Sequence, residues 1–81
     1  MVKIKVIVPS LHKEYDISLN EKALISDIIS DMLDLIEYQT GLYVVDRDKF
    51  VLCKQRSESI CSPMNRLIDY QVVNGDSLVL V

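Results

Sequence analysis

The chain has 81 residues, 49% hydrophobic and 26% charged, which suits one small folded domain and is too apolar for disorder. A formal net charge of −3 leaves no excess of Lys and Arg to neutralise phosphates, so nucleic acid is not an expected partner. No apolar run approaches the roughly 20 residues that span a bilayer, and no secretion signal is visible; the expectation is a cytoplasmic chain of one domain, residues 1–81, without membrane insertion.

Residues 2–8 predict a strand, because every residue but the lysines is β-branched. The alternation puts Val2, Ile4, Val6 and Val8 on one face and Lys3, Lys5 and Ile7 on the other. Pro9 ends the run, since proline cannot donate to a ladder. Residues 14–19 alternate again, with Tyr15, Ile17 and Leu19 against Glu14, Asp16 and Ser18. Folding the two runs about a loop at 9–12 sets Lys5 opposite Asp16 and Ile4 opposite Ile17, so that unlike charges meet and apolar residues meet.

The period then changes. Within residues 20–37, Ile25, Ile28, Ile29, Met32 and Ile36 recur at helical spacing, widened by Leu33 and Leu35. Ser26, Asp27, Ser30, Asp31 and Asp34 fill the opposite face. Asp27 suits the first turn of such a helix, whereas Asp34 and Glu37 sit at the end where the dipole disfavours anions. Gly41 is the expected stop, able to take the left-handed conformation.

Residues 42–45, Leu-Tyr-Val-Val, are β-prone, and Asp46, Arg47 and Asp48 after them suit a hairpin turn or a loop. Residues 49–55 are expected to form the third principal strand, followed by a turn at 56–58 and a short fourth strand at 59–61. A hairpin centred on Ser57 would set Cys53 opposite Cys61. These are the two cysteines of the chain, and facing thiols could close a disulfide or act as a redox pair. In a reducing compartment they read instead as two small packed or exposed side chains.

Pro63 interrupts the next connector. Leu67 and Tyr70 are spaced so that one helical turn puts both on the same side, and a buried tyrosine there needs a partner for its hydroxyl. Asn74-Gly75 is a tight-turn signal. Residues 77–81 form the last strand, with Leu78 and Leu80 on one face and Val79 and Val81 on the other.

This order, two strands, a helix, two strands, a helical turn and a strand, is satisfied economically by one helix on one mixed sheet of four to five strands. The first and last strands, rich in Val, Ile and Leu, would lie parallel at its centre. The expected fold class is α+β, a ubiquitin-like β-grasp roll.

Leu67-Ile68-Asp69-Tyr70-Gln71-Val72, followed by Asn74-Gly75-Asp76-Ser77-Leu78, is similar to the ending of ubiquitin-like domains. With Arg66 before it and Leu78-Val79-Leu80 after it, the stretch resembles the YukD/EsaB family, small ubiquitin-like proteins of Gram-positive type VII secretion systems. The segment at 39–48 departs from that pattern by its length. The resemblance implies an accessory or regulatory protein that binds a membrane or ATPase component of the secretion machine and has no catalytic activity.

The alternative is a ubiquitin-like modifier or sulfur carrier acting through its C-terminus. Such chemistry needs a flexible Gly-Gly tail, whereas this sequence closes on Leu78-Val79-Leu80-Val81 and its glycines are Gly41 and Gly75. Four thiolates for an iron–sulfur cluster are absent, and Cys53, Cys61 and His12 do not make a zinc set. No metal, cofactor or catalytic residue is therefore expected. What remains is the sheet face away from the helix. The alternation puts Ile7, Val79 and Val81 there, with Val51 or Cys53 alongside and Lys3 and Lys5 at the border, a candidate partner-binding patch.

Overall fold

The computed structural model describes residues 1–81. Strands β1 (Val2–Val8) and β2 (Lys13–Leu19) form a hairpin, helix α1 (Ile25–Thr40) follows, and β3 (Leu52–Lys54), β4 (Ser59–Cys61) and β5 (Ser77–Leu80) complete the chain. Short 3-10 turns occupy Pro9–Leu11, Arg47–Lys49 and Leu67–Tyr70. The five strands make one sheet in the order β2-β1-β5-β3-β4. Only β1 and β5 run parallel, and they lie side by side as their composition predicts.

The first hairpin has the register read from charge and hydrophobicity, with Lys5 opposite Asp16 and Ile4 opposite Ile17. Its connection is a 3-10 turn closed by His12 in the left-handed conformation, φ 52°. Ile4, Val6 and Val8 from β1, Leu52 from β3, Cys61 from β4 and Leu78 and Leu80 from β5 point to the inner face. There they meet Ile25, Ile28, Ile29, Met32, Leu33 and Ile36 of α1. Fully burying a large aliphatic side chain is worth about 1.5–3 kcal/mol, so this helix-on-sheet contact is the principal source of stability.

Helix α1 begins at Ile25, the first residue of its apolar period, with Asp27 in its first turn as expected. The Asn20 side chain accepts from the Lys22 N–H at 3.0 Å, and the Ala23 N–H donates to the Asn20 carbonyl at 3.0 Å. That local turn competes with the helix. No side chain caps the helix at Leu24. The connector before the 67–70 turn serves instead: Ile25 N–H donates to Asn65 O at 2.8 Å and Ser26 N–H to Pro63 O at 3.1 Å. Asp27 and Ile28 N–H both reach Leu24 O at 3.1 Å, so the first-turn donors are all satisfied. At the far end Gly41 has φ 71° and its N–H bonds Glu37 O at 2.9 Å, the expected stop.

The connector is itself held by Tyr70. The Ser62 N–H donates to the Tyr70 hydroxyl at 2.6 Å and Asn65 Nδ2 donates to it at 3.1 Å. Lys54, buried on the inner face, donates from Nζ to Tyr70 O at 2.8 Å and to Gln71 O at 3.4 Å. Asp76 is the other buried charged residue; its Oδ2 accepts from Val73 N–H at 2.9 Å, and Oδ1 lies 3.2 Å from Arg56.

Two expectations need correction. The third strand is shorter than residues 49–55, because Asp46 turns left-handed (φ 55°) and Lys49 N–H bonds Asp46 O at 2.9 Å, winding Arg47–Lys49 into a 3-10 turn. Ladder-type bonds to β5 still reach from Val51, paired with Val81, to Gln55, whose N–H donates to Ser77 O at 3.1 Å. The second correction concerns the cysteines. The β3–β4 register sets Cys53 opposite Ile60 and Cys61 opposite Leu52, one residue away from the facing arrangement. The connection holds four residues, 55–58, because Glu58 adopts a left-handed conformation with φ 55°, which the sequence does not advertise with Gly or Asn.

Candidate docking face

The sheet face away from α1 carries no covering element. Its residues follow from strand parity. Across the sheet, Glu14 of β2 pairs with Ile7 of β1, Ile7 with Val79 of β5, Val79 with Cys53 of β3, and Cys53 with Ile60 of β4. Four of these neighbours, Ile7, Val79, Cys53 and Ile60, form an unbroken apolar row over the centre of the sheet. Ile7, Val79 and Cys53 are half-buried although nothing lies above them, because adjacent side chains on a pleated sheet shield one another. Ile60 is 66% exposed at the edge.

The next row toward the C-terminal end of β5 holds Val81 and Val51. Val51 N–H donates to Val81 O at 2.7 Å and Val81 N–H to Val51 O at 3.0 Å. Val81 is half-exposed, while Val51 sits at the rim, where it also lines a groove against α1 with Ile29 and Cys61. On the other side of the apolar row, Lys5 stands between Asp16 and Ser77. Its Nζ lies 4.0 Å from Glu14, an exposed pair of small energetic weight. Lys3 is exposed one step further along β1, its backbone tied to the 74–75 turn through Asn74 Oδ1 at 2.9 Å and Gly75 N–H at 2.9 Å.

The alternation in the sequence groups Ile7, Val79, Val81, Lys3 and Lys5 with Val51 or Cys53, and the structure sets Cys53 beside Val79 and Val51 beside Val81. That grouping missed Ile60. The slipped hairpin register hid that residue, although the alternation Ser59-Ile60-Cys61 already marks Ile60 as facing opposite to its neighbours.

Both cysteines are free. Cys53 belongs to the outer row, whereas Cys61 is buried in the core beneath β4. Burial pushes the Cys61 thiol above its ordinary pKa, with the neighbouring Cys53 adding to the effect. Such a thiol is a packing group and a poor nucleophile at neutral pH. No cluster of three or more His, Cys, Asp or Glu side chains has a metal-binding arrangement. No helix is long and apolar enough to cross a membrane.

Residues 1–80 match the family model described as "WXG100 protein secretion system (Wss), protein YukD". No curated protein sequence matches the chain. Among solved structures, the chain is similar to the EccD5 ubiquitin-like domain from Mycobacterium xenopi, with 19% identity, a TM-score of 0.75, and coverage of 99% of this chain and 91% of that one. It is also similar to the ubiquitin-like domain of an Arabidopsis thaliana protein, with 14% identity, a TM-score of 0.74, and coverage of 99% and 74%. At these identities the two likenesses establish the fold, a ubiquitin-like β-grasp.

Proposed function

Since the chain belongs to the YukD family of the WXG100, or type VII, secretion system, we propose that it serves that machine as a non-catalytic accessory protein in the cytoplasm. It acts by protein–protein contact through the outer face of its sheet. The partner is a membrane or ATPase component of the same machine.

The observation that carries this reading is the apolar row Ile7–Val79–Cys53–Ile60 on an uncovered sheet, bordered by Lys5 and Lys3. Scattered surface hydrophobics are ordinary, but a contiguous row over central strands costs solubility and is what a binding surface requires. A charged border supplies orientation, with less of the binding energy.

The test replaces Val79 and Val81 together with lysine and measures two things: thermal unfolding, and capture of secretion-machine components from cells of the native host. The reading expects a folded variant that has lost capture by about tenfold or more, the scale of a disrupted apolar centre. A folded variant that captures the same components at wild-type levels removes the outer face from the account. A covalent adduct or thiocarboxylate on the chain, found by mass spectrometry, would instead establish the modifier or sulfur-carrier reading.

A further inference from the structure

The sheet ends at β2 on one side and at β4 on the other. Strand β4 has three residues, whereas β2 has seven. Lys5 N–H donates to Asp76 O and Lys3 O accepts from Gly75 N–H, so the odd-numbered residues of β1 bond toward β5 and the even-numbered ones toward β2. The partners of those even-numbered residues are Lys13, Tyr15, Ile17 and Leu19. The N–H and C=O groups of Glu14, Asp16 and Ser18 therefore point out of the sheet edge, and no turn or loop takes them. Exposed edges are ordinarily blunted by proline, by a bulge or by shortness. Strand β2 has no Pro or Gly, pairs with β1 without a break, and turns half-buried Tyr15, Ile17 and Leu19 to the inner face.

The side chains of β2 admit one antiparallel pairing of this edge with itself that suits both faces. A two-fold axis through Ile17 sets Asp16 against Ser18 of the second copy, Tyr15 against Leu19, and Ile17 against its counterpart. The Asp16–Ser18 pairs use the outward N–H and C=O groups, and the half-buried apolar residues gain apolar neighbours. An axis through Asp16 would bring the two Asp16 carboxylates together, and one through Tyr15 would set Glu14 against Asp16 in both halves; like charges directly opposite are destabilising. An axis through Ser18 would leave only residues 17–19 overlapping within the strands. Charge favours the Ile17 axis further. On the outer face Lys5 lies opposite Asp16 and Lys3 opposite Ser18. Across four adjacent strands the pairing thus reads Lys5, Asp16, then Ser18 and Lys3 of the second copy. Neither Asp16 nor Lys3 has an ion-pair partner within 4.0 Å in the single chain. Two strand spacings, about 9–10 Å, would separate them across the small Ser18, within the span of an extended lysine and an aspartate.

We propose that the β2 edge is a self-association surface, occupied by β2 of a second copy of this chain, paired antiparallel about Ile17 into one continuous sheet. Any extended segment could satisfy the backbone groups; the self-matching of charge and apolar side chains selects a second copy. The two-fold pairing is closed, so no β2 edge stays open for a third copy. Its contact is small, so association is weak and follows concentration. The pairing uses the sheet edge and leaves the outer apolar row free, so it does not rest on the docking reading.

The test follows mass by sedimentation equilibrium, and amide exchange, as the protein is concentrated. The expected result is a reversible rise from the chain mass of 9.3 kDa toward twice that value, with the Asp16 and Ser18 amides exchanging more slowly at high concentration. Ser18→Pro removes an N–H that the single chain does not use, at an edge position that accepts proline; it should weaken association by about tenfold or more, one backbone bond being lost from each copy. Ser18→Asp lies opposite Lys3 in the single chain but meets Asp16 of the second copy, and should also weaken association by about tenfold. Adding Asp16→Ser to Ser18→Asp exchanges the two residues and should restore it. Circular dichroism checks that each variant is folded. A chain that keeps its single mass at every concentration, association unaltered by Ser18→Pro or Ser18→Asp, or no recovery in the exchanged pair overturns the proposal. So does association that Val79→Lys abolishes and Ser18→Pro spares, which would put the contact on the outer sheet face.

Discussion

Removing one oxygen from Tyr70 should loosen a helix that Tyr70 does not belong to. Its hydroxyl accepts from the Ser62 N–H at 2.6 Å and from Asn65 Nδ2 at 3.1 Å. That holds the connector whose carbonyls, Pro63 O and Asn65 O, take the first two N–H groups of α1. In Tyr70→Phe the half-buried Ser62 amide loses its acceptor, which costs about 1–3 kcal/mol when water cannot replace it. The exposed Asn65 amide returns to water at little cost. We expect a net loss of about 1–2 kcal/mol, and for a domain of this size about 4–8 °C in Tm for each kcal/mol. Chemical and thermal unfolding followed by circular dichroism measure the loss. Amide exchange should show Ile25 and Ser26 opening faster in the variant, more than Val6 at the sheet centre. A loss below about 0.5 kcal/mol, the range of an ordinary surface change, with unaltered exchange at Ile25 and Ser26, would refute the capping role.

Lys54→Met should destabilise by about 1–3 kcal/mol in urea unfolding, since it keeps the apolar stem but leaves Tyr70 O and Gln71 O without the buried ammonium; no change would mean that those carbonyls are hydrated. Gly75→Ala should cost about 1–2 kcal/mol despite open space for a methyl group, because φ is +90° there; unaltered Tm would mean that the turn relaxes freely. With a thiol-alkylating reagent at neutral pH, Cys53 should react well before Cys61 in the native protein and at a similar rate after unfolding. Equal native rates, read by peptide mass mapping, would contradict the burial of Cys61.

Much of this architecture is visible in residue order. The register of the first hairpin follows from matching Lys5 with Asp16, because a slip by one residue would turn Ile4 and Val6 to solvent. The helix face follows from Ile25, Ile28, Met32 and Ile36, and its stop from Gly41. The role of Tyr70 could be expected in kind, though its partners Ser62 and Asn65 could not. The second hairpin was less legible for a physical reason: each strand has three residues, and its loop turns on Glu58 in a left-handed conformation, so neither periodicity nor turn chemistry fixes the register. That slip concealed Ile60 and brought the two thiols together on paper. The start of α1 at Ile25 is legible in the period, but its cap is not, because it comes from residues some forty positions later, at 63–65.

The outer row can be tested directly with a photo-crosslinking residue at position 60, which is exposed, ends the row, and tolerates change without touching the core. The control carries the same residue at Met64, which is 80% exposed and outside the outer sheet face. In cells of the native host, the probe at position 60 should yield a crosslink to a membrane or ATPase component of the secretion machine, and that crosslink should vanish when Val79→Lys is added. Equal crosslinking from position 64, or a crosslink from position 60 that survives Val79→Lys, would contradict docking through this face.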